Sequence, residues 1–172
     1  MKDYNYYNMN YDRYQLDMDA YNKRVQTRPC FICDIVAKNP QYPTHIVFED
    51  NKLIAFLDKY PRLYSWILVA PKEHREQVIS DFSMEEYIYI QTIIYRIAKV
   101  VQEELGAERI YILSLGSNQG NSHVHWHIAP LPPGMPYTEQ QDGIFKAGIL
   151  KIREEEQSSY AALIRRKLNL II

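Results

Sequence analysis

The chain has no excess of charge of either sign. Twenty lysines and arginines face 21 aspartates and glutamates across 172 residues, leaving a net charge of −1. That balance excludes a nucleic-acid or membrane-surface binder driven by bulk charge and leaves room only for a local basic patch. The chain also lacks a hydrophobic run long enough to cross a bilayer. The stretch 66–71 is far too short, and 87–101 is interrupted by Gln91, Arg96 and Lys99. Residues 1–5 show no apolar core of a signal peptide, so a soluble, cytoplasmic protein is expected, with neither a nucleic-acid nor a membrane partner. Cysteine is scarce as well. There are two, Cys30 and Cys33, which excludes a disulfide scaffold; a Cys-x-x-Cys in a cytosolic setting points first to metal or redox chemistry. No repeat at a fixed period is present, and no low-complexity tract beyond a tyrosine-rich start.

What remains is a globular chain. At 47% hydrophobic and 24% charged, it is long enough to bury a core without staples. The first 28 residues stand apart, with tyrosines at 4, 6, 7, 11, 14 and 21. Residues 1–9 are expected to be disordered or adaptable. From Tyr11 the spacing of Tyr14, Met18, Tyr21 and Val25 predicts a helix, stopped by Pro29. A short helix follows at 30–37. Strands are expected at 45–49, 53–57 and 64–70, the first two joined by a turn at Asp50-Asn51. Ser83 and Glu86 read as a capping box opening a long helix over 84–105, with Ile90, Ile94, Ile97, Val101 and Leu105 on one face and Gly106 as its stop. Strands at 109–115 and 123–129 flank a polar turn, 116–122. Two helical pieces, 137–147 and 153–168, divide near Gly148. The expected organisation is a central domain at 29–135, a partly helical N-terminal extension at 1–28, and a C-terminal helical extension at 136–172 packed on the same domain.

The chemistry concentrates in His123, His125 and His127. On a strand these three imidazoles share one face, roughly 6.6 Å apart, and Val124, Trp126 and Ile128 face the core. That spacing suits a phosphate or a metal. The glycine- and amide-rich turn before them offers backbone N–H groups to an anion. A metal hydrolase using His-x-His as ligands is a rival, but Ile128-Ala129-Pro130-Leu131 supplies no further ligand. His45 has no identifiable partner, and Glu154-Glu155-Glu156 reads as a solvated helix face.

The sequence His123-Val124-His125-Trp126-His127-Ile128-Ala129 resembles the signature of the histidine triad family of nucleotide hydrolases and transferases. The upstream order agrees: Cys30-Phe31-Ile32-Cys33, Phe48-Glu49-Asp50, Ala55-Phe56-Leu57-Asp58, and 67–74 with Pro71-Lys72-Glu73-His74. The likeness covers roughly 30–131. It implies an α+β fold with a mainly antiparallel sheet and a long helix, to which this chain adds N- and C-terminal helices, and usually a homodimer. It implies that His125 attacks the α-phosphorus of a nucleotide, forming a nucleotidyl-histidine, while His127 contacts the phosphate and assists the leaving group. Asp58 matches the position that binds ribose hydroxyls. Asn121 and Ser122 match phosphate contacts, with Gln119 or Asn118 as substitutes. Some members and related uridylyltransferases bind zinc through a Cys-x-x-Cys, the Pro-Lys-x-His histidine and the first triad histidine. On this chain those are Cys30, Cys33, His74 and His123. The alternative is that both cysteines are small buried hydrophobes.

Two departures stand out. Many members carry Gly-His where this chain has Ser65-Trp66, so a supporting histidine is missing. The third triad residue is His127 rather than the glutamine of the transferase branches, which favours hydrolysis. The expected activity is hydrolysis of a dinucleoside polyphosphate or a nucleoside phosphoramidate; a nucleotidylyltransferase or a non-catalytic nucleotide-binding protein is the alternative.

Overall fold

The computed structural model describes residues 11–170. The reading of 1–9 as adaptable lies outside the described residues. The order is β1 (Arg13–Tyr14), α1 (Met18–Thr27), α2 (Phe31–Val36), β2 (Ile46–Glu49), β3 (Leu53–Leu57), β4 (Ile67–Pro71), α3 (Met84–Leu105), β5 (Arg109–Leu113), β6 (Trp126–Leu131), a 3-10 turn (Tyr137–Glu139), α4 (Asp142–Lys146), β7 (Ile149–Leu150) and α5 (Glu154–Leu168). Strands β2-β3-β4-β6-β5 form one sheet in that order, every pairing antiparallel. This is the α+β, mainly antiparallel architecture expected from the sequence.

The long helix α3 forms where its signals stand. Ser83 and Glu86 close a reciprocal capping box, and Gly106 ends the helix at φ +61°, a conformation glycine adopts without a Cβ clash. All five expected core positions are buried on α3. With α5 it covers one sheet face, over Val69, Trp126 and Ile128. Truncating a side chain such as Ile97 there costs about 2–5 kcal/mol. Trp126 is therefore core, against Phe82 and Tyr87. On the opposite face α2 packs Ile32 and Ile35 on Ile54, Phe56 and Leu68, while α4 packs Ile144 on Ala129 and Leu131 beside Trp66. That second face carries the candidate site. Phe56 pairs with Leu68, Leu68 with His127, and His127 with Leu113, one row running straight across β3, β4, β6 and β5.

Several boundaries differ from expectation. The N-terminal helix does not start at Tyr11. Arg13 and Tyr14 instead pair with Leu150 and Ile149, and α1 begins after Asp17, whose carboxylate caps Ala20 N–H at 3.0 Å. Because β7 claims the backbone upstream, Tyr14 and Met18 stay exposed and the four-residue stripe is broken. The C-terminal region likewise has a strand, β7, between its helices. Gly148 is required there: a Cβ would stand 2.9 Å from the Tyr14 carbonyl. Strand β4 starts at Ile67 because Ser65 takes φ +61°. Strand β6 starts at Trp126, so His123 and His125 lie on its approach rather than within it. His45 does have a partner, Glu154, at 3.1 Å. Glu156 is not solvated but half-buried, accepting from the Tyr11 hydroxyl.

Candidate active site and metal centre

Cys30 caps α2, its sulfur accepting from Cys33 N–H at 3.5 Å, so the Cys-x-x-Cys wraps one helical turn. His74 follows β4 and His123 precedes β6. Their donors converge: Cys30 Sγ lies 3.3 Å and Cys33 Sγ 3.6 Å from His123 Nδ1, and Cys33 Sγ lies 3.4 Å from His74 Nδ1. All four donor atoms fall within 4.8 Å of one another. Tetrahedral zinc, with bonds of about 2.0–2.3 Å, sets its nitrogen and sulfur ligands roughly 3.6 Å apart. The outer nitrogens are also committed. His123 Nε2–H donates to the Pro71 carbonyl at 2.9 Å, and His74 Nε2–H to Glu76 at 3.1 Å. A carbonyl or carboxylate only accepts, so both Nδ1 atoms carry lone pairs facing the sulfurs, the tautomer a metal requires. Burial also holds His123 down at about 4, neutral at pH 7. Burial and the neighbouring Cys30 push the Cys33 thiol up to about 11 in the bare protein. A cation reverses that cost by binding the thiolate. The residues present fit a tetrahedral metal.

Two residues on from His123 stands His125, in a different setting. His125 is buried, and its Nδ1–H donates to its neighbour's carbonyl, His123 O, at 2.7 Å. Its Nε2 therefore carries the lone pair. Burial pushes its pKa down, so the imidazole is neutral at pH 7. His127 is the mirror case. Its Nδ1 accepts from the Trp66 indole N–H at 2.9 Å, so its proton sits on Nε2. Burial, then the neighbouring His125, push His127 down to about 3. The two rings stand 4.9 Å apart. One offers a lone pair and the other a proton.

Both line a cavity of about 110 Å³ with Asp58, Asn121, Phe31, Phe56, Leu68, Tyr21 of α1 and Arg28 just after it. Asp58 accepts Tyr60 N–H at 2.9 Å, and burial raises its carboxyl to about 6. Asn121 takes φ +53°, a left-handed conformation that asparagine tolerates. Its amide donates to the Tyr21 hydroxyl at 2.8 Å and accepts from Arg28 at 3.1 Å. Gln119 and Ser122 lie elsewhere. They line an adjoining cavity, and the Ser122 hydroxyl donates to Glu76 at 2.8 Å, beside the metal centre. The structure thus brings Asp58, Asn121, His125 and His127 together, gathers the four metal-ligating candidates nearby, and sets Gln119 and Ser122 apart.

Sequence reasoning missed Trp66, Glu76, Tyr21 and Arg28. Trp66 had registered only as the loss of a histidine. Glu76 stands two residues after His74, a spacing that by itself carries no signal. Tyr21 and Arg28 lie in the extension, where no motif pointed to them.

An antiparallel sheet with alternating histidines on β6 and its approach, opposite the long helix and next to a Cys₂His₂ set, defines a histidine triad protein. The family model for the HIT domain matches residues 39–133, more than half of the chain, which therefore belongs to the HIT family. A HIT-like protein of Saccharolobus solfataricus is 33% identical over 104 residues, covering 59% of this chain and 73% of its own. A 14 kDa zinc-binding protein of Zea mays is 28% identical over 116 residues, covering 65% of this chain and 89% of its own. Among solved structures, a histidine triad nucleotide-binding protein of Sulfolobus tokodaii superposes with a TM-score of 0.65 at 25% identity, covering 83% of this chain and 93% of that one. No helix among the described residues is long and apolar enough to cross a membrane.

Proposed function

We propose that this protein hydrolyses a nucleotide at its α-phosphorus, cleaving a phosphoanhydride or phosphoramidate bond through a nucleotidyl-histidine intermediate. The observation that carries the reading is the pair of opposed tautomers at His125 and His127. The His125 Nε2 lone pair attacks the α-phosphorus. The bond to the leaving group breaks and its electron pair departs with that group, whose new negative charge accepts a hydrogen bond from the Nε2–H of His127. The new imidazolium at His125 is stabilised through Nδ1–H by the His123 carbonyl. Water then attacks phosphorus and loses a proton to solvent, and the P–N bond breaks to release the nucleoside monophosphate. Both histidines then stand in their starting tautomers.

Asp58 is proposed to receive the ribose hydroxyls and Asn121 to contact phosphate, with Gln119 and Ser122 on the leaving-group side. Zinc is the proposed metal at Cys30, Cys33, His74 and His123, supported by the donor geometry and by the zinc-binding relative. Its place is structural: it fixes His123, whose carbonyl orients His125. Free thiols at such a site fit a reducing compartment, so the cytoplasm is the proposed location. We read 29–135 as the domain and the flanking segments as extensions of it. A homodimer is proposed through exposed apolar side chains, Met84, Ile88 and Tyr95 on α3 and Ile112 on the edge strand β5.

The test is chromatography of products from diadenosine tetraphosphate, diadenosine triphosphate and adenosine phosphoramidate, with wild type beside His125→Ala. AMP released by wild type alone and without added phosphate supports the hydrolase. Release that requires phosphate moves the protein to the nucleotidylyltransferases. Binding with no release from any substrate makes it a binding protein.

A further inference from the structure

Arg28 stands at the junction of two cavities. It lines the one that holds His125, His127 and Asp58, and also a second, of about 280 Å³, walled by Gln26, His74 and the 118–122 turn. Phe31 and Asn121 are shared in the same way. The guanidinium lies 5.2 Å from the Phe31 ring centre, and that ring meets His125 edge-on at 6.0 Å. One aromatic ring therefore separates the cation from the nucleophile.

The charge of Arg28 has no carboxylate to answer it. Its hydrogen-bond partner is the neutral amide oxygen of Asn121 at 3.1 Å, and among the described residues it makes no ion pair. Arg75 and Lys72, by contrast, each lie against glutamates. Lys59, the other cation on the main cavity, is exposed beside the Tyr60 ring. A half-buried guanidinium with spare N–H donors is a fork for phosphate oxygens. The anionic end of the cavity is Asp58, which repels a phosphate chain and accepts hydroxyls. Field and geometry thus run one way: nucleoside toward Asp58, α-phosphorus at His125, and further phosphates past Phe31 toward Arg28 and the second cavity.

We infer that Arg28 binds the phosphates of the leaving group, and that the substrate class is a nucleoside polyphosphate rather than a nucleoside phosphoramidate. The inference rests on the hydrolase reading for the placement of the α-phosphate at His125. An amine leaving group carries no anion and has no use for this cation. Arg28 lies before the residues matched by the HIT domain, 39–133.

The test separates binding from turnover. AMP, ADP and ATP are titrated by calorimetry into His125→Ala, which cannot form the intermediate, and into His125→Ala/Arg28→Ala. The expected result is that phosphates beyond the first tighten binding about tenfold in the former, and that Arg28→Ala removes this increment while AMP affinity changes less than twofold. Arg28→Lys should restore part of it. An increment that survives Arg28→Ala overturns the inference, and so does an equal loss for AMP and ATP. In otherwise native protein, Arg28→Ala should lower kcat/KM for diadenosine tetraphosphate about tenfold and leave adenosine phosphoramidate within twofold. An intact phosphate increment together with absent AMP release in wild type would overturn the hydrolase reading and leave the polyphosphate site standing.

Discussion

The indole N–H of Trp66 donates to Nδ1 of His127 at 2.9 Å, and this bond decides which nitrogen of His127 carries its proton. An indole can only donate. A histidine at position 66 could hold His127 in either tautomer; tryptophan leaves one. The geometry is reinforced by an edge-on contact of the two rings at 5.8 Å.

Trp66→Phe keeps most of the packing and loses the donor. We expect kcat to fall about tenfold on a poor leaving group that relies on the hydrogen bond from His127 Nε2–H, and to change little on a nitrophenyl ester that does not. Nitrogen NMR of His127 should then show mixed tautomers. An equal loss on both leaving groups would assign Trp66 to packing alone.

His125→Ala removes the attacking nitrogen. Turnover should drop by about three orders of magnitude or more, with nucleotide binding retained. Trapping by alkaline quench, in which the P–N bond survives, should yield a nucleotidylated wild type and an unlabelled variant; labelled variant protein would move the nucleophile elsewhere.

Cys33→Ser should lower metal content and thermal stability together, since the proposed metal would join α2 to the segments after β4 and before β6. Glu76→Ala is the more delicate probe. It frees the outer nitrogen of His74 and should weaken metal affinity by about 10–100-fold. Competition with a chromophoric chelator measures both, and unchanged affinity in Glu76→Ala would remove that carboxylate from the centre.

Asp58 sets an expected pH dependence. Burial holds its folded-state carboxyl at about 6, above the ordinary aspartate value. Between those two values the folded chain binds the proton more tightly than the unfolded chain, so this group's contribution to stability falls as pH rises through that window. Ribose hydroxyls donate to the carboxylate, so nucleotide affinity should rise over the same range. KM for a ribonucleotide should be roughly tenfold higher at pH 5 than at pH 7.5. Asp58→Asn should flatten that slope; an unchanged slope would assign it to another group.

The dimer is testable by charge. Ile88→Glu and Tyr95→Glu place carboxylates on the exposed side of α3 without touching the core. Sedimentation equilibrium should show a dimer in wild type and a monomer in the double variant. A wild-type monomer would end the proposal.

Much of this was legible in the residues. The capping box and isoleucine stripe of α3 announce the helix because they act within a few residues of one another. The alternation of His127 and Ile128 is local in the same sense and assigns faces correctly. What the sequence could not show is contact between distant segments. Arg13 and Tyr14 look helical until Ile149 and Leu150 arrive as strand partners. Trp66 reads as a missing histidine until its N–H is seen 61 positions from the ring it serves. Arg28 gains meaning only when Asn121, 93 residues away, folds against it.

The row from Phe56 through Leu68 to His127 has one last implication. Side chains alternate along a strand, so sliding β6 against β4 by one residue would turn His127 to the helix side and bring Trp126 or Ile128 onto the cavity floor. No intermediate alignment presents half an imidazole. Activity in a refolded preparation therefore counts correctly registered molecules one by one, and specific activity becomes a direct assay of folding fidelity.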